Sequence, residues 1–243
     1  ASAALADAPV SHFLSGQPDW SGKSLTLLFL AASRDASPEI DELLSAEDDF
    51  LLQGPLSIGR WLHYVPHSAA WRSRVMRFLA SEMQRSNIPF GLRARLLSAL
   101  LLSGDPGVGV LLRQISQTTS QELLHLSALG MGYLLDQQSL ARLSELLAEP
   151  ENNVSKSACF ALVKVGNQQA FELLGSALLH GSEGIRRAVA EALALDPGEG
   201  EDMLKEAAEM VDLLVRRSAV FGLAQVDQPW AKGMLEKLAL EDD

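Results

Sequence analysis

The feature that most constrains this chain is a recurrence. Five segments superimpose without gaps along one helical stretch. They start Leu92-Arg-Ala-Arg, Leu123-Leu-His-Leu, Val154-Ser-Lys-Ser, Ile185-Arg-Arg-Ala and Val215-Arg-Arg-Ser, at spacings of 31, 31, 31 and 30 residues. Seven residues after each start stands a small residue: Ala99, Gly130, Ala161, Ala192 or Gly222. The next position is large and apolar: Leu100, Met131, Leu162, Leu193 or Leu223. Apolar positions at i, i+4, i+7 and i+8 define one face of a helix with 3.6 residues per turn. The small residue lets a neighbouring helix come close.

A second column keeps the same beat. Leu112, Leu143, Leu174, Leu204 and Leu235 are separated by 31, 31, 30 and 31 residues, and each marks a second helix. Turn signals separate the two helices of each unit: Gly104-Asp-Pro-Gly107, Asp136-Gln-Gln, Gly166-Asn, Asp196-Pro-Gly198 and Asp227-Gln-Pro229. These residue types end helices or open new ones. A helix pair of this length cannot bury its apolar face alone, so successive pairs stack around a continuous core.

The acidic, Val-Arg, small-residue pattern of Asp212-Leu-Leu-Val-Arg-Arg-Ser-Ala and Glu183-Gly-Ile-Arg-Arg-Ala-Val-Ala resembles HEAT repeats, particularly the short variety named after phycobilisome lyases. The likeness covers residues 88–243. It implies an all-α fold: a right-handed α-solenoid of stacked antiparallel helix pairs, five HEAT-like repeats in all. Function is left open by it, since the family includes scaffolds, lyases, a hydroxylase and DNA glycosylases.

Residues 1–87 are less regular. Trp71 to Gln84, Leu56 to Tyr64 and Lys23 to Ala32 read as helices, and another opens at Ser37 or Pro38 and ends near Ala46. They are divergent helical pairs capping the array, or an unrelated helical domain. The apolar run from Leu25 to Ala32 is too short for the roughly 20 residues of a membrane span and is expected to be a buried core helix. Residue 1 is Ala, and Asp243 falls where the period places Asp212, ahead of a further first helix. The chain therefore reads as a fragment of a longer multidomain protein, cut at a repeat boundary. Cys159 is the single thiol and no signal-peptide pattern opens the chain, which together point to a soluble cytoplasmic protein.

Off the core arc of the first helices, the period aligns His125, Lys156, Arg187 and Arg217 in one column. Beside it run Leu129, Phe160, Glu191 and Phe221, each one turn further on. The functional reading is a concave groove for an acidic, apolar-containing peptide, with Arg gripping carboxylates and Phe supplying anchor area. The structural reading packs the same columns against adjacent first helices, the long stems covering apolar surface. Arg186 and Arg216, nearer the core, are expected to form a ladder with Glu183 and Asp212.

No catalytic constellation emerges. His12, His63, His67, His125 and His180 lack carboxylate neighbours, and no His-Glu pair of the hydroxylase kind occurs. His63 and His67 are separated by Pro66, which breaks a shared helical face. Gly107-Val-Gly109 and Gly130-Met-Gly132 follow no strand, so neither is a phosphate loop; the second reads as close helix packing. Cys159 reads as inert packing. Glu47-Asp-Asp49 reads as a solvated loop without calcium-loop spacing. A net charge of −11, with Glu191 inside the groove, opposes nucleic-acid binding. No cofactor, metal or membrane partner is implied. The leading expectation is a non-catalytic scaffold binding a partner protein or peptide on its concave face. The alternatives are a lyase-type or DNA-glycosylase-type enzyme or subunit, and an architectural spacer that self-associates through its open C-terminal end.

Overall fold

The computed structural model describes residues 23–33, 35–45, 50–149 and 152–241. Among these, regular structure is helical throughout, with no strand. The chain divides into two compact units, Ala1–Val108 and Gly109–Asp243. The first holds α1 (Lys23–Ser33), α2 (Ser37–Leu44), α3 (Gln53–Trp61), α4 (Arg72–Gln84) and α5 (Phe90–Leu102). Helix α6 (Gly107–Ile115) falls almost wholly in the second. There follow α7 (Gln121–Tyr133), a 3-10 turn (Gln137–Ser139), α8 (Leu140–Leu147), α9 (Asn152–Val165) and α10 (Gln168–His180). The unit ends with α11 (Glu183–Leu193), α12 (Glu199–Ala208), α13 (Leu213–Leu223) and α14 (Pro229–Glu241).

The second unit is an α-solenoid. Helices α7, α9, α11 and α13 stack in sequence as one row, and α8, α10 and α12 flank them as a second. The first row packs more tightly than the second. Its large apolar column, Met131, Leu162, Leu193 and Leu223, is wholly buried. In the second row Leu143, Leu174 and Leu204 are buried too, while Leu235 near the end of the unit is only half-buried. Each such side chain contributes about 1.5–3 kcal/mol of hydrophobic stabilisation when fully removed from water.

Glycine governs how near the first-row helices come. A Cβ on Gly132 would lie 2.6 Å from the Ala161 Cα, and one on Gly222 would lie 2.7 Å from the Ala190 carbonyl oxygen. In both cases the obstacle is backbone of the neighbouring first helix, which no rotamer change can move.

The turns obey local chemistry. Asp212 accepts from the Leu214 and Val215 amides to cap α13, and Asn167 accepts from Ala170 to cap α10. Asp136 receives the Arg113 guanidinium at 2.5 Å, the Ser139 hydroxyl and the Gln138 amide, which fixes the turn between α7 and the 3-10 segment. After α9, Gly166 takes the left-handed conformation at φ 62° and donates to the Leu162 carbonyl.

In the first unit Arg72 is the strut. The residue is 2% exposed, and its guanidinium donates to the carbonyls of Leu62, Val65 and Ser103. Asp105 stands 3.5 Å away to balance the charge. Helix α1 departs from expectation. The helix forms, but Leu25 is 59% and Phe29 70% exposed, while Ala31 is buried. It meets α3 along one narrow edge, too little to cover an all-round apolar segment.

Two Gly→Ala exchanges should move stability in opposite directions. Gly132→Ala drives a methyl into backbone and should cost roughly 2 kcal/mol despite the better helix propensity. Gly233 in α14 has open space around it, and Gly233→Ala should gain about 0.5–1 kcal/mol. Urea denaturation followed by circular dichroism reads both.

Candidate functional site

The first-row face carries a charge opposite to that of the chain. Helices α7, α9, α11 and α13 bear Lys156, Lys164, Arg186, Arg187, Arg216 and Arg217 against the acids Glu122, Glu183 and Glu191. In α8, α10, α12 and α14 the balance reverses, with eight acids to four basic residues. The two rows of the second unit thus carry opposite net charge.

The structure joins the two expected columns across helices. The His125 ring nitrogen Nδ1 lies 3.1 Å from the Asn153 carbonyl and 2.6 Å from Ser157 Oγ, tying α7 to α9. The Ser157 hydroxyl donates to the Asn153 carbonyl, so its oxygen is left to accept from Nδ1–H. Lys156 meets Glu191 at 2.8 Å, tying α9 to α11. The Arg187 guanidinium lies 3.6 Å from the centre of the Phe221 ring, tying α11 to α13. Arg217 reaches back to Glu183 at 3.7 Å, with both side chains mostly in water, so that pair contributes little stability. Packing and presentation are therefore not alternatives here: the columns link neighbouring helices and keep one side open.

Two grooves lie along this face. One, of about 310 Å³ between α11 and α13, is walled by Arg186, Arg187, Arg217, Phe221, Leu214 and Glu183. The other, of about 570 Å³ between α7 and α9, is almost wholly apolar, and its lining includes Leu129, Tyr133, Leu135, Phe160, Lys164 and Leu195. The Lys156–Glu191 pair stands between Phe160 and Arg187, one helical turn from each. The sequence columns reach Leu129 and Phe160 in the apolar groove and Arg187, Arg217 and Phe221 in the basic one. They miss Tyr133, Leu135, Lys164 and Leu195.

Leu135 carries the clearest signal. It adopts φ 52° just past α7, where Leu135 donates to the Gly132 carbonyl and Asp136 to the Met131 carbonyl. That second bond closes the helix end in the Schellman manner, with Leu135 at the position that favours glycine. Gly104 and Gly166, one period before and one period after it in sequence, take φ 67° and 62°. A leucine there costs about 1–2 kcal/mol of backbone strain.

The expected ladder at Arg186 is corrected. Glu183 pairs with Arg217 rather than Arg186, which instead donates to the Leu179 carbonyl at 2.8 Å. Arg186 points back along the chain to the end of α10, and the next helix brings Arg217 over Glu183. Asp212 spends its carboxylate on the α13 cap. His63 sits beyond the end of α3, with Nδ1 3.2 Å from the Leu102 carbonyl. Among the described residues, no group of three or more His, Cys, Asp or Glu side chains is placed to hold a metal, and no helix is long and apolar enough to cross a membrane. His12 and Glu47-Asp-Asp49 lie outside the described residues.

Cys159 is buried in α9, and burial pushes its thiol up to about 12. It should resist a thiol reagent at pH 8 in the native protein and react fully in denaturant, as absorbance of the released chromophore would report. Rapid native labelling would contradict this burial.

Against known proteins, residues 108–194 match the family model of HEAT repeats. No curated protein sequence matches the chain. Among solved structures, a designed armadillo repeat protein in complex with the peptide (KR)4 is similar at 13% identity and a TM-score of 0.45. The match covers 79% of this chain and 100% of that one. A second designed armadillo repeat protein is similar at 14% identity and a TM-score of 0.40, with the same coverage. The HEAT-repeat match thus runs from α6 to the end of α11.

Proposed function

We propose that this chain is a non-catalytic protein-binding module that takes an acidic peptide segment of a partner on the first-row face of its HEAT repeats. The observation that carries this reading is the groove between α11 and α13. Arg186, Arg187 and Arg217 stand around Phe221 with Glu183 the one acid in the lining. Arg187 and Arg217 are both exposed. A guanidinium meets a carboxylate with two parallel hydrogen bonds, and one already stacked on a ring loses less freedom when it does so.

The single thiol does not offer this face a nucleophile. Catalysis by acid, base or nucleophile needs a group whose proton affinity is tuned toward neutrality and which faces the substrate. The one thiol is shifted the other way, up to about 12, and is buried beneath the face.

The test uses two fluorescent peptides, one alternating Glu and Leu and one alternating Lys and Leu. Anisotropy should show binding of the acidic peptide alone, weakening as salt rises. Arg187→Glu and Arg217→Glu should each lower its affinity by roughly tenfold or more, given about 1.5–3 kcal/mol per hydrogen bond to a charged group. Circular dichroism should stay unchanged. Equal affinity for both peptides, or indifference to both reversals, would reject the reading.

A further inference from the structure

The apolar groove between α7 and α9 is not used by a carboxylate grip, yet it is the more hydrophobic of the two. Its floor is low because Gly132 meets Ala161 without side chains between them. Its walls are side chains that water should not be left to cover: Tyr133 is 59%, Leu135 57% and Leu195 61% exposed. The volume of about 570 Å³ lies within the range of sites that enclose a ligand group. Leu135 is held in a left-handed conformation at a position where glycine would be relaxed, and that strain presents its side chain to this groove.

We infer that this groove is an anchor site for one large aliphatic or aromatic side chain of the same acidic peptide whose carboxylates meet Arg187 and Arg217, with the two features about six residues apart. The inference rests on the acidic-peptide reading above. The spacing follows from the stack. The grooves are two helix-to-helix steps apart at about 9 Å each, or about 18 Å. A polyproline-like chain rises about 3.1 Å per residue and returns to the same face about every third residue, so about six residues span the gap with both groups facing the protein. Lys164, the charged residue of the apolar lining, suits an anchor flanked by acids. A second copy of the chain is the weaker occupant. A two-fold contact would set this basic face against itself, and a head-to-tail contact with the acidic second row would run on into open stacks.

The experiment uses labelled peptides carrying a Leu-Leu anchor and a Glu-Glu pair six residues apart. Controls shorten the spacing to two residues, replace the anchor with Ala-Ala, or replace the acids with lysines. Leu135→Gly is the informative variant, because it relieves the backbone and should leave the thermal midpoint unchanged or raised. It should lower affinity for the six-residue peptide by about tenfold and leave the Ala-Ala peptide, already weaker, unaffected. The loss and the anchor deletion should therefore not add. Unchanged affinity of Leu135→Gly for the anchored peptide, while Arg187→Glu still weakens it, overturns the anchor site and spares the acidic-peptide reading. Equal binding at both spacings overturns the spacing. If no peptide responds to Arg187→Glu, both readings fall together. Sedimentation that shows concentration-dependent association of the unmodified chain, lost in Leu135→Gly, assigns the groove to a second copy and overturns the peptide.

Discussion

Everything on the first-row face depends on how near α7, α9, α11 and α13 come to one another, and that distance is set by absent side chains. Gly132 against Ala161 and Gly222 against Ala190 allow backbone to approach backbone, where any larger residue would wedge the row apart. The favourable term is the burial of the apolar columns on either side, several side chains at about 1.5–3 kcal/mol each. A wedge of a few tenths of an ångström would forfeit part of that dispersion along the whole contact. The small residues therefore act as spacers, and the columns of Met131, Leu162, Leu193 and Leu223 are the load they hold in place.

Close approach also decides the chemistry of the surface. With the helices this near, a residue one step off the core reaches the neighbouring helix. Lys156 finds Glu191 and Arg187 finds Phe221 for that reason. Such links are modest in energy at a half-exposed site. Their greater consequence is geometric, because they hold the Lys156 ammonium and the Arg187 guanidinium in fixed directions, which would lower the ordering cost of a ligand.

The core of the solenoid could be read from the chain because its signal is redundant. A small residue and a large one at fixed offsets, repeated at a 31-residue period, leave one arrangement in which all are buried, and Ala161, Leu162, Ala192 and Leu193 are buried as that requires. The grooves could be read only in part. Phe160 and Arg187 stand in periodic columns, whereas Tyr133 and Leu195 lie where helices end, and ends depend on turn conformation rather than on period. Leu135 looks like one more apolar residue of α7 until it is compared with Gly104 and Gly166 at the same place in the period. The departure from the pattern points to this groove more directly than the pattern does. Arg186 shows the opposite limit. Its spacing to Glu183 favours an i, i+3 pair, but the carbonyl of Leu179 at a free helix end competes for the guanidinium and wins.

Net charge misleads when it is averaged over a layered structure. A value of −11 predicts repulsion from any acidic ligand, yet the first-row helices of the second unit carry six basic residues to three acids, and the second-row helices four to eight. Screening makes the separation effective, since at physiological salt a charge is felt over about 8 Å, less than the thickness of a helix layer with its side chains at about 10–12 Å. In the proposed reading, an acidic segment on the first-row face meets Lys156, Arg187 and Arg217 at short range, with the eight second-row acids screened by distance and ions. Two rows of opposite sign in one thin stack thus give each face its own local charge.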